Sequence, residues 1–374
     1  MAAASTAPAI PDRPFMDDPG RSYTLPARYY WDPEVYAHEM DAIFGHGWVC
    51  LGHGETLDEV GDYTTFFVGD QNVMVVRGKD GVLRGFHNVC SHRAHELLSG
   101  AGRTKVITCP YHAWSYHIDG TLRTARGSEK VEGFNNDEFC LKPVRVEEFC
   151  GFVFVNLDDE SVALAEQSGG LEADIRGFAP DLDQLTHAHR LTFDIKANWK
   201  NIIDNFLECY HCPVAHPAFV GLIDVDTYRI VNHGIYSTHH ASASGRANKA
   251  YDTVGAEVAD HAVWWLWPNT CILRFPGSAN IMTMRMAPTG PEETRLIIDF
   301  YFLDSTPEAA QTEAIGYVND VLTPEDISIV ESVQRGLHSR GYNQGRFMVD
   351  EQRSGQSEHG VHYFHSLVLK ALED

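Results

Sequence analysis

The sequence predicts an α+β fold: an all-β module followed by a larger domain whose core is an antiparallel sheet with helices on one face. Three observations predict it. Between residues 48 and about 157 the apolar residues come in short strand-like runs, at 63–68, 73–77, 83–86, 105–108 and 151–156. Gly-Asp, Asp-Gly and Gly-Lys-Asp-Gly turns separate them, which is how hairpins are punctuated. After Ala163 helical periodicity appears at 198–212 and 323–337, with longer strand-like runs between, at 228–231, 270–275, 281–286 and 295–302. Such an order suits an antiparallel sheet with its helices segregated to one face. Residues 33–44 also read as helical and precede the β module, so they can belong to the larger domain and make the module an insertion. The expected division is 1–44, an N-terminal segment packing on the larger domain; 45–160, the β module; and 161–374, the larger domain. The first twenty or so residues are rich in Ala and Pro and read as loosely held.

Composition narrows the function classes. The 374 residues are 44% hydrophobic and 11% aromatic, as in a soluble globular protein. No run approaches the ~18 consecutive apolar residues of a membrane span. The opening Met1-Ala-Ala-Ala-Ser-Thr-Ala-Pro lacks the basic region and apolar core of a signal peptide, so a bacterial-style cytoplasmic location is expected. Acidic residues outnumber basic ones 52 to 29, a formal net charge of −23. That excess disfavours nucleic acid and anionic membranes, both of which need a basic surface. It suits a cationic small molecule, although solubility alone explains it. Eight cysteines in a chain of this length do not read as a disulfide framework.

Twenty histidines are more informative. Cys90-Ser-His92 and Cys109-Pro-Tyr-His112 form the pattern C-x-H-x16-C-x2-H. Zinc fingers pair cysteine with cysteine and histidine with histidine. Here each loop supplies one of each. That suits a [2Fe-2S] cluster in which one iron takes both thiolates and the other both imidazoles, the Rieske arrangement, whose neutral ligands raise the reduction potential. The other cysteines, 50, 140, 150, 209, 212 and 271, show no such pairing and read as small buried apolar residues.

A second constellation follows in the stretch from Asn198 to His216. Asp204, Glu208 and His211 fall at helical spacing on one face, and Pro213 then breaks the helix so that His216 can return beside His211. An open iron site needs a carboxylate as third ligand. Asp326 is the candidate, but Thr323-Pro-Glu-Asp also reads as an N-cap with its capping-box partner, and the pattern alone favours the cap.

Both motifs, in this order and about a hundred residues apart, resemble the α subunits of the Rieske non-haem iron oxygenases over nearly the whole chain. The resemblance implies a Rieske domain inserted in a helix-grip catalytic domain. It implies a mononuclear Fe(II) held by His211, His216 and Asp326, and a head-to-tail homotrimer in which the cluster of one subunit feeds the iron of the next. It further implies that dioxygen is the oxidant and that a flavin- and iron–sulfur-containing reductase brings the electrons of NAD(P)H. In the family an acidic residue, usually aspartate, bridges the two centres across subunits. Here it is Glu208, a departure similar to that of the carnitine oxygenases, and its two oxygens can still reach two imidazoles.

The segments around Asp204, around Trp265-Leu-Trp-Pro-Asn and from Glu331 to Tyr342 resemble the subgroup acting on quaternary ammonium compounds, of the carnitine/γ-butyrobetaine or betaine type. The implied reaction is hydroxylation of a carbon next to the quaternary nitrogen, which breaks a C–N bond and yields trimethylamine from carnitine, or formaldehyde from an N-methyl group. Pocket candidates are Trp264, Trp265 and Trp267, since aromatic faces attract quaternary nitrogen by about 0.5–2 kcal/mol each. Asn205, Phe206 and Tyr210 join them from the ligand helix. Asp204 is a further catalytic candidate. The run His359, His362, His365 reads as structural. An aromatic-ring dioxygenase would use the same irons with a more uniformly apolar pocket. A Rieske electron carrier would not need the second iron site.

Overall fold

The computed structural model describes residues 10–246, 248–253 and 255–373. It divides into two compact units, one of residues 1–42 with 188–374 and one of 43–187. The expected boundary at 160 therefore falls inside the second unit. Helices α2 (Leu164–Gln167) and α3 (Leu171–Phe178) bury Leu164, Leu171 and Ile175. Leu164 N–H donates to Glu147 Oε2 at 2.8 Å and Trp48 Nε1–H donates to Val162 O at 3.1 Å, tying this segment to the β module.

Ten strands build that module: β1 (Val49–His53), β2 (Asp62–Val68), β3 (Gln71–Arg77), β4 (Leu83–His87), β5 (Ala101–Arg103), β6 (Ile107–Thr108), β7 (Ser115–Tyr116), β8 (Leu122–Thr124), β9 (Pro143–Phe149) and β10 (Phe152–Asn156). Seven form one sheet in the order β1-β10-β9-β4-β3-β2-β5, and β6-β7-β8 form a small second sheet. Each strand run read from the sequence here overlaps one of these strands, although β6 takes up only the last two residues of the run at 105–108.

The other unit is organised by a seven-stranded sheet of β11 (Thr186–Ile195), β12 (Arg229–His233), β13 (Tyr236–Ser242), β14 (Asp260–Leu266), β15 (Thr270–Arg274), β16 (Asn280–Gly290) and β17 (Glu293–Phe302). Its order is β11-β17-β16-β15-β14-β13-β12, a meander from β12 to β17 closed by β11 on the far edge. The pairs from β12 to β17 are antiparallel. The sequence reading missed β11 and β13, whose histidines, threonines and serines hide the apolar alternation, and β14, whose Ala262–Leu266 run is buried throughout and so shows no alternation at all.

Helix α1 (Pro33–Glu39) belongs to this unit, followed along the chain by α4 (Trp199–Phe206), α5 (Cys212–Ala215), α6 (Pro217–Leu222), α7 (Ala309–Tyr317), α8 (Thr323–Leu337) and α9 (His359–Glu373). Helix α4 packs on α8, α9 and β16. Its buried Lys200 is paired to buried Glu39 of α1, whose other oxygen accepts from Trp199 Nε1–H at 2.9 Å. The α+β class, the all-β module and the antiparallel sheet with helices are all borne out.

Candidate metal centres and cavity

The two loops of the β module are built alike. Cys90 N–H donates to His95 O and Ala94 N–H to Cys90 O, at 2.8 and 3.0 Å; Cys109 N–H donates to Trp114 O and Ala113 N–H to Cys109 O, again at 2.8 and 3.0 Å. Ala94 and Ala113 both take positive φ, 55° and 61°. A left-handed alanine is unfavourable by of order 1 kcal/mol, and its repetition at equivalent places marks a turn that the site requires. Each loop thus tucks a free thiol into a hydrophobic cluster with Met74, Phe86, Ile107 and Tyr116, and leaves the imidazole on the outer side. The rings of His92 and His112 stand 4.7 Å apart, and His92 stacks on Trp114.

These residues fit a two-iron cluster. His112 Nδ1 is buried without a hydrogen-bond partner among the described residues, an orphan that a metal ion would satisfy. Tyr116 Oη accepts from Ser91 N–H at 3.0 Å and lies 3.3 Å from Cys90 Sγ, so its own proton is placed to serve the thiolate.

The second constellation departs from the expected single helix. Asn198 caps α4 by accepting from Lys200 N–H, and the helix stops at Phe206. Glu208 and His211 lie in the turn beyond it. The Glu208 carboxylate accepts from the backbone N–H groups of Tyr210 and His211, offering them a partner other than a helix carbonyl. Cys209 and Cys212 are joined by a disulfide across this turn, with Cα atoms 4.9 Å apart, which corrects the reading of both as isolated apolar residues. A Cβ at Gly360 would stand 2.4 Å from Leu207 O, so only glycine lets α9 approach this turn so closely.

Among the described residues one group of ligand types could hold a single metal ion: His211, His216 and Asp326, whose candidate atoms lie within 4.8 Å of one another. Asp326 Oδ1 is 2.9 Å from His216 Nε2 and 3.7 Å from His211 Nε2. Asp326 is not a cap. The backbone is helical at Leu322, and one π-helical turn (Val318–Leu322) joins α7 to α8, whereas an N-cap needs an extended residue there.

Behind each histidine stands a carboxylate. Glu208 Oε1 lies 2.6 Å from His211 Nδ1 and Glu325 Oε2 lies 2.8 Å from His216 Nδ1. Each pairing puts the proton on Nδ1 and turns the Nε2 lone pair inward. Burial opposes charge on His216, but Asp326 and Glu325 outweigh it and raise its pKa to about 9 while no cation shares the site. The sequence reading missed Glu325; its only signal was a second carboxylate beside Asp326.

A cavity opens over this triad. Asn205, Phe206, Glu208, Phe219, Tyr228 and Phe275 contribute to its walls, and among the described residues no lysine or arginine lines it. Asn205 and Phe206 are thus brought to the site, with Asn205 Nδ2 3.5 Å from His211 Nε2. The tryptophans are not. Trp265 shares a strand face with the cavity-lining Val263, but lies two residues further along, under Phe364 of α9 with Trp267 against it. Trp264 points to the other face, near His240. Tyr210 is half exposed and does not line the cavity.

Asp204 serves the frame. Its carboxylate takes Tyr30 Oη–H at 2.6 Å and His365 Nε2–H at 2.9 Å, while His365 Nδ1 accepts from Leu25 N–H. His359 and His362 are tied to the carbonyls of Ile230 and Met16.

Comparison with known proteins agrees with this architecture. The Rieske [2Fe-2S] domain family matches residues 47–135, and the catalytic domain of the ring-hydroxylating α subunits matches 182–374. The carnitine monooxygenase oxygenase subunit of Escherichia coli (strain K12) is 41% identical over 96% of each chain. The chloroplastic choline monooxygenase of Atriplex hortensis is 32% identical over 94% of this chain and 78% of its own. The crystal structure of the quaternary ammonium Rieske monooxygenase CntA in complex with L-carnitine superposes with a TM-score of 0.87 at 39% identity, covering 97% of this chain and 99% of that one. With its β module, its paired cysteine–histidine loops and its two-histidine, one-carboxylate triad, the chain belongs to the Rieske oxygenase α-subunit family.

Proposed function

We propose that this chain is a terminal oxygenase that hydroxylates a carbon next to a quaternary nitrogen, and that its substrate is of the carnitine/γ-butyrobetaine or betaine class. The observation that carries this reading is the cavity wall. Phe206, Phe219, Tyr228 and Phe275 present aromatic rings, Glu208 and Asp326 present carboxylates, and among the described residues no lysine or arginine stands with them. Aromatic faces in a desolvated site attract a quaternary cation, which cannot donate a hydrogen bond and so asks for no acceptor.

Cys90, His92, Cys109 and His112 hold the [2Fe-2S] cluster, and His211, His216 and Asp326 hold the iron. When bound, these centres supply stored electrons and dioxygen activation. A partner reductase delivers two electrons from NAD(P)H; with two protons and O2, one oxygen atom enters the C–H bond and the other leaves as water. The resulting carbinol next to N+ loses a proton from its hydroxyl, forms a C=O bond and releases the tertiary amine as the C–N bond breaks. Asp326 and the histidine pair leave the cavity side of the site open. Asn205 and the aromatic rings orient the substrate over it. Glu208 fixes His211, and its remaining lone pairs can accept from a cluster histidine of a neighbouring subunit in a head-to-tail homotrimer. The cytoplasm is the expected compartment; among the described residues no helix is long and apolar enough to cross a membrane.

The test needs no reductase. Protein reduced chemically without oxygen is mixed with oxygen and carnitine, γ-butyrobetaine, betaines or simple aromatics, and products are read by mass spectrometry. Trimethylamine or formaldehyde from a quaternary amine is expected. A diol from an aromatic, or no product from a fully reduced protein, would overturn the substrate assignment.

A further inference from the structure

The sheet side of the cavity is lined by Val263 of β14, Leu273 of β15, Met282 and Met284 of β16 and Ile298 of β17, with one polar exception, His261 of β14. It lies two residues before Val263, so strand alternation places both on the cavity face. The residue is 2% exposed. Phe219, Tyr228 and Phe275 pack around its ring, with centroids 5.7, 6.1 and 4.6 Å away.

Its protonation follows from its contacts. Nδ1 lies 3.0 Å from Arg274 O. A carbonyl oxygen only accepts, so the proton sits on Nδ1. Burial pushes the pKa down to about 4, which keeps the ring neutral. Nε2 is then a bare acceptor. No protein group among the described residues donates to it, and it is not one of the polar atoms sealed from solvent without a partner, so it opens on the cavity.

An acceptor alone on an apolar wall discriminates by donor content. It repels a carboxylate, is indifferent to the N-methyl groups of a quaternary cation, and rewards an O–H group. We propose that His261 Nε2 accepts a hydrogen bond from a hydroxyl group of the quaternary ammonium substrate, selecting hydroxylated compounds over their deoxy counterparts. The inference rests on the quaternary ammonium reading above. His261 is a specificity-determining residue and plays no part in holding the metals.

The test is calorimetric titration of the metal-loaded protein, without reductase or oxygen, using L-carnitine and its deoxy counterpart γ-butyrobetaine. The native protein is expected to bind carnitine about tenfold more tightly, the worth of one hydrogen bond. In His261→Phe that ratio collapses to near one through weaker carnitine binding. In His261→Gln, whose amide oxygen can accept, part of it returns. Equal affinities in the native protein, a preference for γ-butyrobetaine, or an unchanged ratio in a folded His261→Phe would overturn the proposal. The native comparison stands even if the phenylalanine variant does not fold. Failure of the native protein to bind either ligand, or a betaine titrated beside them, would instead overturn the quaternary ammonium reading, and this inference with it.

Discussion

Glu325 gives the sharpest test of how the proposed iron-binding triad is held. Replacing it with alanine removes the oxygen that lies 2.8 Å from His216 Nδ1. The His216 side chain is only 3% exposed, so water replaces the lost acceptor poorly and the ring is freer to turn its Nε2 away from Asp326. Removing a carboxylate that orients a metal-ligating histidine costs about 10–100-fold in metal affinity, or about 1.4–2.7 kcal/mol. Glu325 itself is 31% exposed, so solvent screens part of its charge, which puts the expected loss nearer tenfold. The assay is competition for Fe(II) against a chromogenic chelator, run on the protein with its cluster intact. Asp204→Asn is the control: that carboxylate pairs with Tyr30 and His365, and its loss should leave iron affinity unchanged. If Glu325→Ala binds iron as tightly as the native protein, the carboxylate behind His216 does not position it.

Other predictions follow from the same geometry. Tyr116→Phe removes the hydroxyl beside Cys90 Sγ and should lower the cluster's reduction potential by about 50 mV, read in a spectroscopic redox titration, as about 1 kcal/mol per electron implies. Glu208→Ala should weaken iron binding by a similar 10–100-fold, and at saturating iron should leave a pre-reduced cluster reduced when oxygen and substrate arrive. Normal turnover in that variant would remove the bridging role. Glu39→Ala strands the buried Lys200 ammonium, whose burial already pushes its pKa down, and should destabilise the catalytic unit by about 3–5 kcal/mol in denaturant titration; Glu39→Met with Lys200→Met should recover most of the loss. Burial drives His239 to about 3 and His261 to about 4. Below about pH 6.5 the unfolded chain binds protons that the folded chain refuses, so stability is full above that pH. It is lost as pH falls towards 4, at about 1.4 kcal/mol per pH unit for each histidine. His239→Gln should flatten that limb.

The ligand types were legible because metal chemistry fixes them locally. Two short loops each supplying Cys and His, and two histidines five positions apart beside a proline, keep their meaning whatever surrounds them. The class of fold was legible too, since strand and helix periods differ and most runs were long enough to show theirs. Strands β11 and β13 were not, because polar residues break their apolar alternation, and β14 was not, because a strand buried on both faces shows a continuous apolar run instead of an alternation. Local pattern also misread two boundaries. The helix expected to reach Cys212 ends at Phe206, where the Glu208 carboxylate captures two backbone N–H groups, and the cap expected at Thr323 lies inside continuous helix.

The sequence by itself determined which atoms could bind metal, that a cluster and a single ion were both provided for, and an acidic excess that disfavours nucleic acid. Only the tertiary structure decided which of several carboxylates stands against which imidazole. It separated Asp204, bound into the frame by Tyr30 and His365, from Glu325, which stands behind His216. It also chose the cavity wall, sending Trp264 and Trp265 into the core and bringing Phe219, Tyr228, Phe275 and His261 to face the iron site. The reason is physical: bonding preference belongs to a side chain, but direction and proximity belong to strand parity, helix ends and the packing of elements distant in the chain.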